Sequence, residues 1–187
     1  GATGSVATVK VPKLALALSD VADVRVVVTE KAKTFLAKAE AYDAAAWATF
    51  QASGIEVLSD ADEWDAWQEI GDDVVHVELR KWADLLVVAP LSANSLAKLA
   101  NGLCDDLLSC TARAWDFDKP FVVAPAMNTA MWTHPLTATH LADLRVLGVA
   151  AVPPASKKLA CGDVGPGALA DVPAIVTAAG AALGEAW

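Results

Sequence analysis

The stretch LLVVAPLSANSLAKL, residues 85–99, decides the fold. It opens with a short apolar run that has no alternating polar positions, which is typical of a strand covered on both faces. Beyond Pro90 the apolar residues recur at spacings of three and four, which is typical of one face of a helix. A buried strand that runs into a helix is the repeating unit of a parallel sheet.

The same alternation extends along the chain. Further strand-like runs lie at residues 24–28, 121–124, 149–152 and, more weakly, 55–58. Helical patterns lie at residues 95–115, 137–147 and 173–183. We therefore expect an α/β fold, a single domain over residues 1–187 with a doubly wound, Rossmann-like (flavodoxin-like) parallel sheet flanked by helices. GATGSVATVK, residues 1–10, resembles the turn after a first strand, so we expect a chain truncated before that strand.

Composition narrows the class of protein. The 187 residues are 55% hydrophobic and 20% charged, as in a globular domain. The net charge is −9 and the 14 Lys and Arg are scattered, which argues against a nucleic-acid partner. No apolar run reaches the roughly 18–20 residues that span a bilayer, and we expect no signal peptide because the first residues lack the charged-then-apolar pattern. We expect a cytoplasmic protein with no membrane partner.

The three cysteines fall into two groups. They are too few and too irregularly spaced for a disulfide framework or a zinc site, so we expect no metal. Cys104 and Cys110 lie in an apolar helical pattern and are expected to be packed thiols. Cys161 instead lies in LACGDVGPGAL, residues 159–169, among three glycines and a proline. Such a segment is pliable, which is unusual for a buried structural cysteine.

Polar residues follow three of the predicted strands. GATGSV at residues 1–6 could bring backbone N–H groups to a phosphate, although an ordinary tight turn fits as well and the spacing is not G-x-G-x-x-G. Ser92, Asn94 and Ser95 crowd one helix start, where capping needs only one such residue. Asn128 is the lone side-chain amide in APAMNTAMW, residues 124–132, and could bind substrate or cap a helix. His76 lies one turn before Arg80 on a short predicted helix, where a structural role is the commoner one.

Three long motifs together resemble one family. They are HVELRKWADLLVVAPLSANSLAKLANGLCDDLL at 76–108, RAWDFDKPFVVAPAMNTAMW at 113–132 and KKLACGDVGPGALA at 157–170. In this order they resemble the flavin-dependent cysteine decarboxylases, and among them the eukaryotic type of phosphopantothenoylcysteine decarboxylase. The resemblance extends from Gly4 to about Ile175.

The resemblance implies FMN as the cofactor. The residues that would hold it are Gly4, Ser5, Val6, Thr29, Lys31, Ser92, Ala93, Asn94, Ser95 and Ala126. His76 matches the family's active-site histidine, and Asn128 matches the amide that holds the substrate carboxylate. Cys161 matches the cysteine of a mobile substrate clamp. The clamp's other substrate contacts would be Lys158, Leu159 and Ala160.

The resemblance also implies the reaction. The substrate would be 4′-phosphopantothenoylcysteine and the product 4′-phosphopantetheine, in coenzyme A biosynthesis. Loss of CO2 from the cysteine carboxyl needs an electron sink, which oxidation to a thioaldehyde by FMN provides. The resulting enethiolate is then re-reduced and protonated. A thiol with a pKa of about 8.5 is protonated at neutral pH and can serve as the acid, from a flap that closes after substrate enters.

The resemblance also implies an oligomeric state, and it leaves alternative functions to be weighed. The family members of this type are homotrimers or multiples of trimers, with flavin and substrate between protomers. One alternative is a peptidyl-cysteine decarboxylase, which shares the histidine and the asparagine. Another is a halotolerance-type regulatory subunit that inhibits a protein phosphatase; the occurrence of His76, Asn128 and Cys161 in one chain argues against it. A prenyl-flavin synthase would lack the clamp.

Overall fold

The computed structural model describes residues 1–158, 162 and 164–187, with Lys158 described by its backbone alone. The strands are β1 Arg25–Val27, β2 Glu56–Leu58, β3 Leu86–Leu91, β4 Phe121–Pro125, β5 Ala150–Ala151, β6 Ala155–Lys158 and β7 Val164–Ala168. The helices are α1 Val11–Ser19, α2 Glu30–Leu36, α3 Ala39–Tyr42, α4 Ala44–Ala52, α5 Asp60–Ala66, α6 Val75–Trp82, α7 Ala93–Asn101, α8 Leu107–Arg113, α9 Thr129–Trp132, α10 Pro135–Val146 and α11 Val172–Leu183. A 3-10 helix, Val6–Lys10, leads into α1.

The strands β1 to β5 run parallel. Strand β1 pairs with β2, and β4 pairs with β3 on one side and β5 on the other. Residues 1–3 join the two halves: Ala2 forms a parallel bridge with Val28, and the Ala89 N–H donates to the Gly1 carbonyl at 2.8 Å. Residues 1–3 therefore occupy the position of a strand between β1 and β3. Truncation before that strand stays a prediction.

Helices cover both faces of this sheet, as expected of a doubly wound fold. Val122 and Val123 in β4 are both fully buried, yet they belong to different hydrophobic clusters. Because successive strand residues point to opposite faces, each face must carry its own core. Helix α1 packs against α11 and α4 on one side, while α6 packs on α8 and α7 on α10. The predicted fold class is confirmed.

The prediction of one helix over residues 95–115 is wrong. The chain forms α7 and α8 instead, because Gly102 ends α7 in the left-handed conformation with φ +70°. Leu103 is consequently 58% exposed rather than on a buried stripe. The packed-thiol prediction fails for Cys104, which is exposed, whereas Cys110 is half-buried. Burial raises the pKa of the Cys110 thiol to about 11.

Strands β6 and β7 form a separate antiparallel hairpin in which Lys158 is paired with Val164. The predicted clamp residues Leu159, Ala160 and Cys161, and the side chain of Lys158, lie outside the described residues. Within the described part of the chain, no helix combines the length and the apolar character needed to cross a membrane.

Candidate functional site

The polar residues predicted from the sequence begin helices at the carboxyl ends of parallel strands. Thr29 follows β1 and accepts from the Ala32 N–H at 3.3 Å. Ser92 follows β3 and accepts from the Ser95 N–H at 3.2 Å. Asn128 follows β4 and caps α9. These side chains therefore share one edge of the sheet, where open α/β folds bind ligands.

A cavity of about 390 Å³ opens at this edge. Its lining residues are Gly4, Thr29, Glu30, Lys31, Asp60, Ser92, Asn94, Ser95, Lys98, Asp105 and Asp106. Six of the residues predicted to bind the cofactor are among them. The N–H groups of Ala93 and Asn94, at the start of α7, have no acceptor among the described residues. A helix start with free N–H groups favours an anionic ligand group.

The charged residues of this cavity are largely paired. Lys98 contacts Asp105 at 2.5 Å and Asp106 at 3.4 Å, and the hydrogen bond to Asp105 raises the Lys98 pKa. Glu30 pairs with Lys33 at 2.7 Å. Lys31 forms no ion pair among the described residues, so its charge is available to a ligand.

The carboxylate of Asp60 at the same cavity is only partly compensated. It accepts from the Leu107 N–H at 2.7 Å, and burial raises its pKa. Its negative charge works against an anionic ligand.

Thr3 holds two walls of the cavity together, a role that sequence reasoning missed. Its hydroxyl donates to the Pro90 carbonyl at 2.8 Å and accepts from the Ser92 N–H at 2.7 Å. Thr3 is fully buried, so both hydrogen bonds of its hydroxyl are shielded from water. The turn that follows is equally tight: a Cβ on Gly4 would lie 2.7 Å from Cβ of Lys31. The only signal in the sequence is that Thr3 lies between Gly1 and Gly4 in the short segment GATG.

The other predicted cofactor residues flank the cavity. Ser5 caps the 3-10 helix that begins at Val6, accepting from the Ala7 N–H at 3.3 Å. Ala93 is the first residue of α7. Ala126 is buried and its N–H donates to the Leu91 carbonyl at 2.9 Å, which joins the ends of β3 and β4.

Asn128 lies against the hairpin rather than in this cavity. Its Oδ1 accepts from the Met131 N–H at 2.8 Å, which leaves the side-chain NH2 as a donor. The preceding residue, Met127, donates its N–H to the carbonyl of Gly167 in β7 at 2.9 Å. Thr129 donates its hydroxyl to the Pro166 carbonyl at 3.0 Å. Residues 127–129, called the Asn128 loop below, therefore hold strand β7 of the hairpin through these two hydrogen bonds. Cys161 lies between the two strands of that hairpin in the sequence.

His76 is half-buried near the start of α6, and its Nδ1 contacts Oε1 of Glu63 in α5. Neither His76 nor Asn128 is among the described residues that line the cavity. The structure therefore brings six of the ten predicted cofactor residues together at the cavity, while two of the three predicted catalytic side chains, those of His76 and Asn128, do not line it. The third, Cys161, lies outside the described residues.

A doubly wound parallel sheet with a polar cavity at its carboxyl edge is typical of the open α/β proteins that bind ligands there, and free N–H groups at a helix start favour a phosphate group. The sequence matches the Flavoprotein family over residues 1–183, and the chain belongs to that family. It is 51% identical over 170 residues to the phosphopantothenoylcysteine decarboxylase of Oryza sativa subsp. japonica, covering 91% of this chain and 73% of the relative.

Two solved structures are similar over almost the whole chain. One is a cysteine-to-serine mutant of PPC decarboxylase complexed with pantothenoylaminoethenethiol, with a TM-score of 0.86, 47% identity and coverage of 95% of this chain and 92% of that chain. The other is the FMN binding protein AtHal3, with a TM-score of 0.82, 47% identity and coverage of 95% and 90%. The expected resemblance to phosphopantothenoylcysteine decarboxylases is confirmed, as is a flavin cofactor.

Proposed function

We propose that the protein catalyses the FMN-dependent decarboxylation of 4′-phosphopantothenoylcysteine to 4′-phosphopantetheine, a cytoplasmic step of coenzyme A biosynthesis. The observation that carries the proposal is the Asn128 loop. Its amide NH2 is available as a donor, and the loop seats the hairpin that bears Cys161. A hydrogen-bond donor to the substrate carboxylate and a proton donor could therefore act on one substrate.

The residues of the cavity fit FMN. The phosphate would lie at the start of α7 and the 3-10 helix, near Gly4, Ser5 and Lys31, where N–H groups and one cation converge. Because Gly4 has no Cβ, the backbone of the turn can approach Lys31 closely, which brings the turn and this cation to the same part of the cavity. Bound FMN supplies an acceptor and later a donor of two electrons, which makes loss of CO2 from a cysteine carboxyl feasible.

Three residues of the chain position the substrate and move its protons. The Asn128 NH2 donates to the substrate carboxylate and orients it for loss of CO2. The imidazole of His76 accepts the proton that the substrate loses on oxidation, since imidazoles exchange protons near neutral pH. Cys161 returns a proton to the decarboxylated product, and Lys158, Leu159 and Ala160 hold that product in the clamp.

We propose that the protein is a homotrimer, or a multiple of trimers, with each site shared between protomers. The position of His76 and Asn128 supports this, because within the described part of one chain neither side chain lines the cavity that contains Ser92. Light scattering of the holoprotein should give three copies or a multiple of three.

Mixed trimers test whether the site is shared. Inactive His76→Asn and inactive Ser92→Ala protein, unfolded together and refolded with FMN, should regain part of the activity. Reconstitution with no activity, from a mixture that forms trimers, would contradict a shared site.

The reaction itself is tested with purified holoprotein and 4′-phosphopantothenoylcysteine. We expect release of CO2 and formation of 4′-phosphopantetheine, identified by mass spectrometry. A holoprotein that releases CO2 only from a peptide with a carboxyl-terminal cysteine would favour the peptidyl-cysteine alternative. One that releases none but inhibits a protein phosphatase would favour the regulatory alternative.

A further inference from the structure

Helix α5 carries a carboxylate that faces the imidazole of His76. The helix begins at a capping box in which the N–H and the hydroxyl of Ser59 both donate to Oδ2 of Asp62. These hydrogen bonds stabilise its first turn. Glu63 follows directly. Its side chain is 12% exposed and the side chain of His76 is 25% exposed, so the pair is largely shielded from water.

The contact determines where the imidazole holds its proton. Oε1 of Glu63 meets Nδ1 of His76, and an ionised carboxylate can only accept. Nδ1 must therefore carry the hydrogen, which leaves Nε2 of the neutral ring with a lone pair. The two residues lie on different helices, so this contact depends on the packing of α5 against α6.

We infer that Glu63 is the positioning residue of His76: its carboxylate holds the imidazole in the Nδ1–H tautomer and aims Nε2 at the substrate. This inference rests on the proposed role of His76 as a proton acceptor. A buried carboxylate behind a histidine also stabilises the imidazolium that forms when Nε2 takes a proton. In this role Glu63 acts through His76 and not on the substrate directly.

The first test reads the tautomer directly. Long-range ¹H–¹⁵N spectra of uniformly labelled holoprotein should show His76 protonated at Nδ1 and bare at Nε2. In Glu63→Ala the proton should redistribute towards Nε2. Asp65→Asn, which removes an exposed carboxylate from the same helix, should leave the His76 signals unchanged. Protonation at Nε2 in the wild type, or an unchanged tautomer in Glu63→Ala, would overturn the inference.

The second test separates positioning from folding. When substrate is mixed rapidly with the holoprotein under anaerobic conditions, Glu63→Ala should slow flavin reduction by about 10- to 100-fold, comparable to the cost of removing the carboxylate partner of a metal-ligating histidine. The Kd for FMN and the KM should stay within about twofold of wild type. Glu63→Gln keeps an acceptor oxygen and should recover part of the rate. Equal rates in Glu63→Ala and Asp65→Asn would contradict the inference.

Failure of the proposed function gives a different result. If the wild type reduces no flavin with substrate, or His76→Asn reduces it at the normal rate, then His76 lacks the proposed role. The tautomer measurement would still report whether Glu63 orients the ring.

Discussion

Replacing Gly167 by Ala should unseat the hairpin from the Asn128 loop. Gly167 has φ +126°, a conformation that residues with a side chain rarely adopt, and its added Cβ would lie 2.3 Å from the Met127 carbonyl oxygen. The strand must move away, and the hydrogen bond from the Met127 N–H to the Gly167 carbonyl is lost.

The cost can be estimated from these two effects. The strained backbone contributes about 1–3 kcal/mol and the lost hydrogen bond about 0.5–1.5 kcal/mol. The total of about 1.5–4.5 kcal/mol opposes docking of the hairpin. Because each 1.4 kcal/mol is about tenfold, the KM should rise by about 10- to 1600-fold if docking is required for substrate binding. The Kd for FMN should stay unchanged, because the cofactor cavity lies beside β3.

Steady-state kinetics and hydrogen exchange measure these effects. Gly148→Ala is the matched control, since Gly148 has φ +86° but its added Cβ would meet no atom within 4 Å. The Met127 amide should exchange faster in Gly167→Ala than in Gly148→Ala. If both variants show the same KM and the same protection at Met127, the hydrogen bond between Met127 and Gly167 does not hold the hairpin on the Asn128 loop.

Three further substitutions test the buried Thr3 hydroxyl, the charge of Asp60 at the cavity and the amide of Asn128. Thr3→Val leaves the buried Ser92 N–H without its acceptor, so urea unfolding should show a loss of about 1–3 kcal/mol relative to Thr3→Ser; equal stabilities would contradict this role. Burial raises the pKa of Asp60, so the folded state is penalised above that raised pKa and unaffected well below the ordinary value of 3.8. Asp60→Asn should therefore raise Tm at pH 7, leave it unchanged at pH 3, and tighten FMN binding by a few fold, measured by calorimetry; a lower Tm at pH 7 would refute this. Asn128→Asp keeps the cap on the Met131 N–H, so Tm should hold, while repulsion of about 4 kcal/mol should raise the KM about 1000-fold; wild-type kinetics would exclude the carboxylate contact.

Local patterns predicted the sheet and its ligand-binding edge. Strands β3 and β4 are continuous apolar runs, because helices cover both of their faces, and such runs are visible in any sequence. Ser92 and Asn128 could be predicted since helix starts after parallel strands share one edge. Both proved to cap helices as well, so the two readings of these residues are compatible.

Contacts between residues far apart in the chain could not be predicted from the sequence. Gly102 was visible, yet whether a glycine interrupts a helix depends on the packing around it, and α7 ends there. Thr3 bonds Ser92 across 89 residues of chain, and no local pattern marks such a pair. Glu63 meets His76 only because α5 packs on α6.

The most direct test of the account is the visible spectrum of the Cys161→Ser holoprotein mixed anaerobically with 4′-phosphopantothenoylcysteine. If carboxyl loss depends on oxidation by the flavin and Cys161 supplies the final proton, the yellow absorption should bleach and stay bleached. A decarboxylated, oxidised product should accumulate with it. Full turnover with the flavin remaining oxidised would contradict the role of Cys161, and CO2 release from protein stripped of FMN would contradict the mechanism as a whole.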